Sequence, residues 1–183
     1  RAKARIMVIA TIFMAAFMAA DETERGIPQE TPMEHEAYAA MISRSLVSAG
    51  NGWRMQKALA RVRAGENIAV AFIGGSITEG YNASSPEECY ARLVHDEIVR
   101  RYGAGDEESV AYLNAGMSGT PSTLGMIRYD RDVPAKLGSL PDIVFVEFAV
   151  NDGDDPTAGA AFESLVLKIL NADNKPAVVL LFG

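Results

Sequence analysis

The chain has 183 residues, of which 49% are hydrophobic and 22% are charged, and it contains one cysteine, Cys89. This length and composition suit one globular domain, alone or with a leader segment, and they do not indicate a disordered chain. The net charge of −7 argues against a nucleic-acid partner and against a basic membrane-binding surface. A lone cysteine rules out an internal disulfide, so cysteine usage does not indicate a cellular compartment.

The first twenty residues have the order of a secretory signal. A basic start, RAKAR, precedes fifteen uncharged residues, and a polar stretch follows. The apolar run is short for a membrane span, which needs about 20 residues. We predict that residues 1–20 are a signal peptide or signal anchor, with residues 6–20 as the membrane-inserting part, and that the protein is secreted or displayed at the cell surface. The alternative is an N-terminal helix packed on the domain.

Residues 21–66 are predicted to be a linker followed by leader helices. The stretch 21–33 is polar and contains two prolines, whereas 34–49 and 53–64 have the apolar spacing of helices. Gly65 is a suitable stop for the second helix.

Residues 67–183 alternate between apolar runs of strand length and amphipathic segments. The pattern predicts an α/β domain with a parallel sheet between two helical layers, because strands that alternate with helices form that architecture. The uniformly apolar strands fit burial on both faces. The predicted strands are 68–73, 110–114, 142–150 and 177–182, and the predicted helices are 85–103, 122–133 and 158–171.

The helix predicted over 85–103 carries clear boundary signals. Ser85 can cap it, Pro86 fits the first helical position, and Glu88 completes a capping box. Its predicted apolar stripe is Tyr90, Leu93, Val94 and Ile98.

Function in an open parallel sheet is sought just beyond the carboxyl ends of the strands, where ligands bind. The segment AFIGGSITEG, residues 71–80, is the first such place. A Walker loop needs Lys where this chain has Tyr81, and a dinucleotide fingerprint needs Gly where it has Ser76. A G-x-S-x-G nucleophile elbow fails at Thr78, and no sharp strand-to-helix turn is expected there, because the next long helix starts near Pro86. A plain tight turn remains an alternative.

Three strand-end motifs considered together resemble the SGNH, or GDSL-type, esterase family. They are IGGSIT after the first strand, NAGMSGT after the second and FAVND after the third, and the resemblance runs from about residue 50 to the end. It is closest to a branch with G-G-S-I-T in place of G-D-S-L, so Gly75 stands where the family name has Asp. The resemblance implies a flavodoxin-like α/β/α fold and a serine esterase without metal or cofactor. Together with the signal, it favours ester-linked acyl groups of carbohydrate, acetyl foremost, as substrate.

The same resemblance implies roles for three residues. Ser76 would be the nucleophile, Gly119 would offer its backbone N–H to the oxyanion, and Asn151 would offer its side-chain amide. The backbone N–H of Ser76 is a third donor. These residue types suit the chemistry, because each preorganised donor contributes about 3–4 kcal/mol to the transition state.

Other polar residues are given ordinary structural roles. His95 and His35 are predicted to be solvated surface side chains, and Cys89 a small buried one. A cluster of acidic residues fits no metal-ligand spacing and is predicted to be a charged surface loop. Its members are Asp152, Asp154 and Asp155.

Glu147 interrupts a strand that should be buried on both faces. A buried charge is costly without a partner. We predict Arg128, on the preceding helical segment, as that partner.

A serine hydrolase also needs a base to take the serine proton. In the SGNH family this base belongs to an Asp-x-x-His motif near the C-terminus, and no such motif occurs in the chain. We therefore expect these residues to be the N-terminal portion of the hydrolase domain, inactive alone. The alternative is a non-catalytic ligand-binding module on the same fold.

Overall fold

The computed structural model describes residues 32–153 and 155–182. The predicted signal, residues 1–20, lies outside these ranges, as does the side chain of His35. The chain divides into two compact units, residues 1–50 and residues 51–183. The described element of the first unit is helix α1 (Pro32–Ser45). Within the ranges that the structure describes, no helix is both long enough and apolar enough to cross a membrane.

The second unit is built on a four-stranded, fully parallel sheet in the order β2-β1-β3-β4. The two central strands, β1 and β3, are buried along their whole length. This arrangement confirms the predicted parallel α/β fold. The strands are β1 (Ile68–Gly74), β2 (Val110–Gly116), β3 (Ile143–Glu147) and β4 (Ala177–Leu181).

Helices connect the strands, and three of them have four residues each. The longer ones are α2 (Trp53–Arg63), α4 (Tyr90–Tyr102), α5 (Ser122–Asp132) and α8 (Ala158–Leu170). Two four-residue helices follow the central strands directly, α3 (Ser76–Glu79) after β1 and α7 (Ala149–Asp152) after β3. A further four-residue helix, α6 (Pro134–Leu137), follows α5.

The two faces of the sheet are covered by different helices, as expected of three layers. On one face Ala71 and Ile73 of β1 join a core with residues of α5 and α8. On the other face the Phe72 ring stacks on Phe145 with centroids 4.5 Å apart and meets the Tyr90 ring of α4 edge-on at 5.9 Å. Successive side chains of β1 therefore pack against opposite helical layers, because side chains alternate between the two faces of a sheet.

The predicted helix 85–103 differs from the observed one at its start and on its buried face. Residues Pro86–Glu88 form a separate 3₁₀ turn, and Ser85 makes no side-chain cap hydrogen bond, so the predicted capping box is wrong. The extended backbone of Cys89, with ψ 147°, separates that turn from α4. Cys89 itself is buried as predicted.

His95 is buried, and the prediction of a surface histidine is wrong. Its Nε2 lies 2.7 Å from the carbonyl oxygen of Val110, and its Nδ1 lies 3.1 Å from Asp96 Oδ1. The stripe prediction placed Leu93 inside, but Leu93 is exposed. A polar ring can take the inner position because the first carbonyl of β2 pairs with it.

Helix α2 packs on the sheet through Met55, Ala58, Leu59 and Val62, and it belongs to the same compact unit. Arg61 Nη1 lies 2.5 Å from Asp142 Oδ1, and Asp142 Oδ2 accepts from the backbone N–H of Ala69 at 2.9 Å. These contacts tie α2 to the amino edge of the sheet, away from the strand ends that carry the motifs.

Two helical glycines make a matched pair for testing the core. A Cβ added at Gly125 in α5 would overlap the fully buried Phe148 ring, whereas one added at Gly159 in α8 meets nothing within 4 Å. We predict that Gly125→Ala lowers the free energy of unfolding by about 1–3 kcal/mol, because overpacking outweighs the better helix propensity of alanine. Gly159→Ala should raise it by about 0.4–1 kcal/mol. Chemical denaturation of both variants checks this, and equal effects would contradict the packing described.

Candidate active site

The chain turns sharply from β1 into α3, with Gly75 as the single residue between them. A Cβ added at Gly74 would overlap the Thr78 hydroxyl and the carbonyl oxygen of Glu147. The prediction that no sharp strand-to-helix turn follows β1 is therefore wrong. The turn is possible because two glycines let the helix fold back onto the strand end. It places Ser76, half-buried, at the start of α3.

Asn151 lies beside the residue that precedes Ser76. A Cβ added at Gly75 would overlap the Asn151 carboxamide, so this side chain packs directly on the Gly75 backbone. Asn151 reaches this position because α7 begins two residues after β3 ends, next to β1 in the sheet. Two of the three predicted site residues thus come from neighbouring strand ends and meet at one edge.

Gly119 lies in the loop after β2 at the same edge. Its φ of +71° is left-handed, which favours glycine, and the residue is exposed. The loop is fixed by its neighbours, because Met117 N donates to Gly74 O at 3.1 Å and Ser118 N donates to Glu79 Oε2 at 2.9 Å. The Ser118 hydroxyl donates to the same Glu79 oxygen. Glu79, on the helix of Ser76, therefore holds the loop of Gly119, a contact that sequence reasoning missed.

Glu147 does not pair with Arg128, so that prediction is wrong. The Thr78 hydroxyl donates to Glu147 Oε2 at 3.1 Å, and Tyr90 Oη lies 2.9 Å from the same hydroxyl oxygen. Burial raises the pKa of Glu147, while the Thr78 hydroxyl and backbone N–H groups of α7 offset part of the rise.

Arg128 instead stabilises the strand ends. Its Nη1 donates to Ala115 O at 2.7 Å and its Nη2 donates to Gly74 O at 3.0 Å. Asp132, one helical turn further along α5, lies 3.2 Å from Nη1 and balances the charge. The guanidinium can satisfy carbonyls of two strands at once because its donors form a planar fork.

His95 is not placed to activate Ser76. It contacts Val110, which pairs with Ile68, the first residue of β1, whereas Ser76 lies two residues beyond Gly74, the last residue of β1. Seven residues of strand separate those two edges by about 20 Å. Of the two histidines, His95 is the one with a described side chain, and it does not supply the base.

The acidic residues near Asn151 have protein partners. Asp152 Oδ1 accepts from the backbone N–H of Ser122 at 2.7 Å, and Asp155 Oδ1 accepts from Thr157 at 2.8 Å. Asp154 lies outside the described residues. Over residues 32–153 and 155–182, no group of histidine, cysteine or acidic side chains is arranged to hold a metal ion.

Residues 72–183 match the model of the GDSL-like Lipase/Acylhydrolase family. The chain belongs to this family. The match covers the three strand ends described above, and the parallel sheet fits it. No curated protein matches the chain.

Two solved structures are similar to this member of the family. One is a two-domain esterase (CEX) active on acetylated mannans, 38% identical, with a TM-score of 0.66 over 73% of this chain and 34% of that one. The other is the same esterase co-crystallized with mannopentaose, 38% identical, with a TM-score of 0.65 over 72% of this chain and 34% of that one. The chain thus spans about a third of the length of these esterases.

The buried Glu147 gives this site a testable pH signature. Because burial raises its pKa above the ordinary value of 4.5, the folded state holds this proton more tightly than the unfolded state. The free energy of unfolding should therefore fall as pH rises from near 4.5 to the raised pKa, and level off above it.

Glu147→Gln lacks this titration while the other groups titrate in both proteins. We predict that wild-type stability, relative to Glu147→Gln, is greatest at low pH and is lost as pH rises through that window. Chemical denaturation between about pH 4 and pH 8 measures the difference. Parallel profiles, or a difference that grows in favour of the wild type as pH rises, would contradict the burial described.

Proposed function

We propose that this protein is a serine esterase that removes acyl groups, acetyl foremost, from esterified carbohydrate. The observation that carries the proposal is the packing of the Asn151 carboxamide on Gly75, next to Ser76, at the carboxyl edge of the sheet. A hydroxyl nucleophile and an uncharged amide donor that meet on rigid strand ends suit acyl transfer.

In the proposed reaction the Ser76 oxygen attacks the acyl carbon, and the carbonyl electron pair moves onto the carbonyl oxygen. The N–H groups of Ser76 and Gly119 and the side-chain amide of Asn151 stabilise this oxyanion. Collapse of the intermediate breaks the bond to the sugar oxygen, which leaves with a proton, and water then releases the acyl group from Ser76. A base must take the Ser76 proton, and we assign that role to no residue of this chain.

The carbohydrate part of the proposal draws on the mannan-active esterase, whose substrate is a property of that protein. Support from this chain comes from Tyr81, which sequence reasoning used only to reject a Walker loop. Tyr81 is 64% exposed, and its backbone N–H donates to Ser76 O at 2.8 Å. An exposed aromatic residue whose backbone is anchored to the proposed nucleophile's helix suits a binding surface for a sugar ring.

Export is proposed on the sequence of residues 1–20 alone. A polysaccharide substrate lies outside the cell, so a secreted or surface-displayed enzyme is consistent with the proposed reaction. The rival is a non-catalytic module that binds carbohydrate esters, and the position of His95 at the opposite edge of the sheet from Ser76 is compatible with it.

The test compares Ser76→Ala and Asn151→Ala with the wild type in the full-length protein, on a small acetyl ester and on an acetylated manno-oligosaccharide. We predict that Ser76→Ala lowers kcat by about 10⁴-fold or more on both substrates. Asn151→Ala should lower kcat by about 10²–10³-fold with little change in KM, because the oxyanion forms only in the transition state.

Ser84→Ala is the matched control, since Ser84 is an exposed serine eight residues further along. It should keep wild-type kinetics. Hydrolysis retained within a few-fold in Ser76→Ala would refute the nucleophile assignment. Binding of the oligosaccharide without turnover by the wild type would favour the non-catalytic module.

A further inference from the structure

Glu147 is a buried acid that the proposed chemical steps do not use. It is the last residue of β3, and 2% of it is exposed. Burying a carboxyl group costs free energy unless partners compensate. The oxygen Oε1 has no hydrogen-bond partner among the residues described, so the compensation is incomplete. Because burying this carboxyl group costs free energy beside a candidate site, we expect Glu147 to have a function in that site.

The partners of Glu147 belong to both short helices of the site. Oε2 accepts from the Thr78 hydroxyl of α3 at 3.1 Å. Because that proton is committed, the Tyr90 hydroxyl is the donor in its 2.9 Å contact with Thr78 Oγ1. The backbone N–H groups of Ala149 and Val150, the first residues of α7, also favour the ionised carboxyl group and so offset part of the rise in its pKa that burial causes.

These contacts matter because α3 and α7 have four residues each. Helices that short are unstable by themselves, so tertiary contacts determine where they lie. Ser76 begins α3 and Asn151 lies in α7. The hydrogen bond between Thr78 and Glu147 therefore joins the helix of the proposed nucleophile to the strand end from which the helix of the proposed oxyanion donor starts two residues later.

We propose that Thr78 and Glu147 are positioning residues that hold Ser76 and Asn151 in the arrangement that ester hydrolysis needs. The inference rests on the proposed function. It predicts a loss of turnover when the link is broken, even where the fold survives. A purely structural role predicts a loss of stability without that loss of turnover.

The experiment changes the Thr78 hydroxyl in the full-length protein and measures kcat, KM and stability on a small acetyl ester. Thr78→Val keeps the shape and removes the donor, and we expect it to lower kcat by about 10-fold or more with KM within about 2-fold, because small displacements of reacting groups are costly. Thr78→Ser keeps the hydroxyl and should hold kcat within about 3-fold of the wild type.

Thr78→Cys provides a second comparison should Thr78→Val fail to fold. Its thiol occupies the position of the serine hydroxyl but donates weakly. We expect kcat of Thr78→Cys to fall clearly below that of Thr78→Ser at similar stability. Equal kcat in the serine and cysteine variants would overturn the proposal, as would wild-type kcat in Thr78→Val or a change confined to KM.

Two further variants separate this inference from its premise. Ser109→Ala removes another buried hydroxyl, which donates to Asp106 O at 2.6 Å before β2 at the opposite edge, and it should leave kcat unchanged. Ser76→Ala measured in parallel tests the proposed function itself. Activity retained in Ser76→Ala defeats the function, whereas an inactive Ser76→Ala beside a fully active Thr78→Val defeats only the positioning role.

Discussion

The pairing of β1 with β3 is the constraint on which the site depends. Their parallel register places Gly74 opposite Glu147, and Gly75 N donates to Glu147 O at 3.1 Å. Both strands therefore end at the same level of the sheet, and a short helix follows each of them almost immediately. Because a parallel sheet brings carboxyl ends to one edge, Asn151 packs on Gly75, the residue before Ser76, although 76 positions separate Gly75 from Asn151 in the sequence.

The strand ends are crowded, and the crowding accounts for the residues found there. Glycine is needed at positions 74 and 75, because side chains would overlap Thr78, Glu147 and Asn151. The carbonyl oxygens of Gly74 and Ala115, near the ends of β1 and β2, accept from the buried guanidinium of Arg128, which is 4% exposed. Buried charged groups rarely add to the free energy of unfolding compared with apolar residues. The buried Arg128 is therefore better explained by its fixing of the two strand ends than by a gain in stability.

The layered fold and the edge that carries the site follow from local signals in the sequence. Apolar runs of strand length predicted every strand of the sheet, and the residues just after them included Ser76 and Asn151. The partners of buried polar groups were not predictable, because they depend on three-dimensional neighbours. Arg128 and Glu147 have opposite charges and lie in successive parts of the chain, yet Arg128 binds a backbone carbonyl of Gly74 and Glu147 binds the Thr78 hydroxyl. His95 was misplaced for the same reason, since its partner is a backbone carbonyl fifteen residues away.

The central claim, that Ser76 is the nucleophile of an esterase, is tested most directly by covalent trapping. The full-length protein is treated with a fluorophosphonate, and the modified residue is located by peptide mass spectrometry. The account predicts one adduct per chain, on Ser76, formed at the rate at which hydrolysis is lost. Loss of hydrolysis with the adduct on another residue, or full hydrolysis with Ser76 modified, would contradict it.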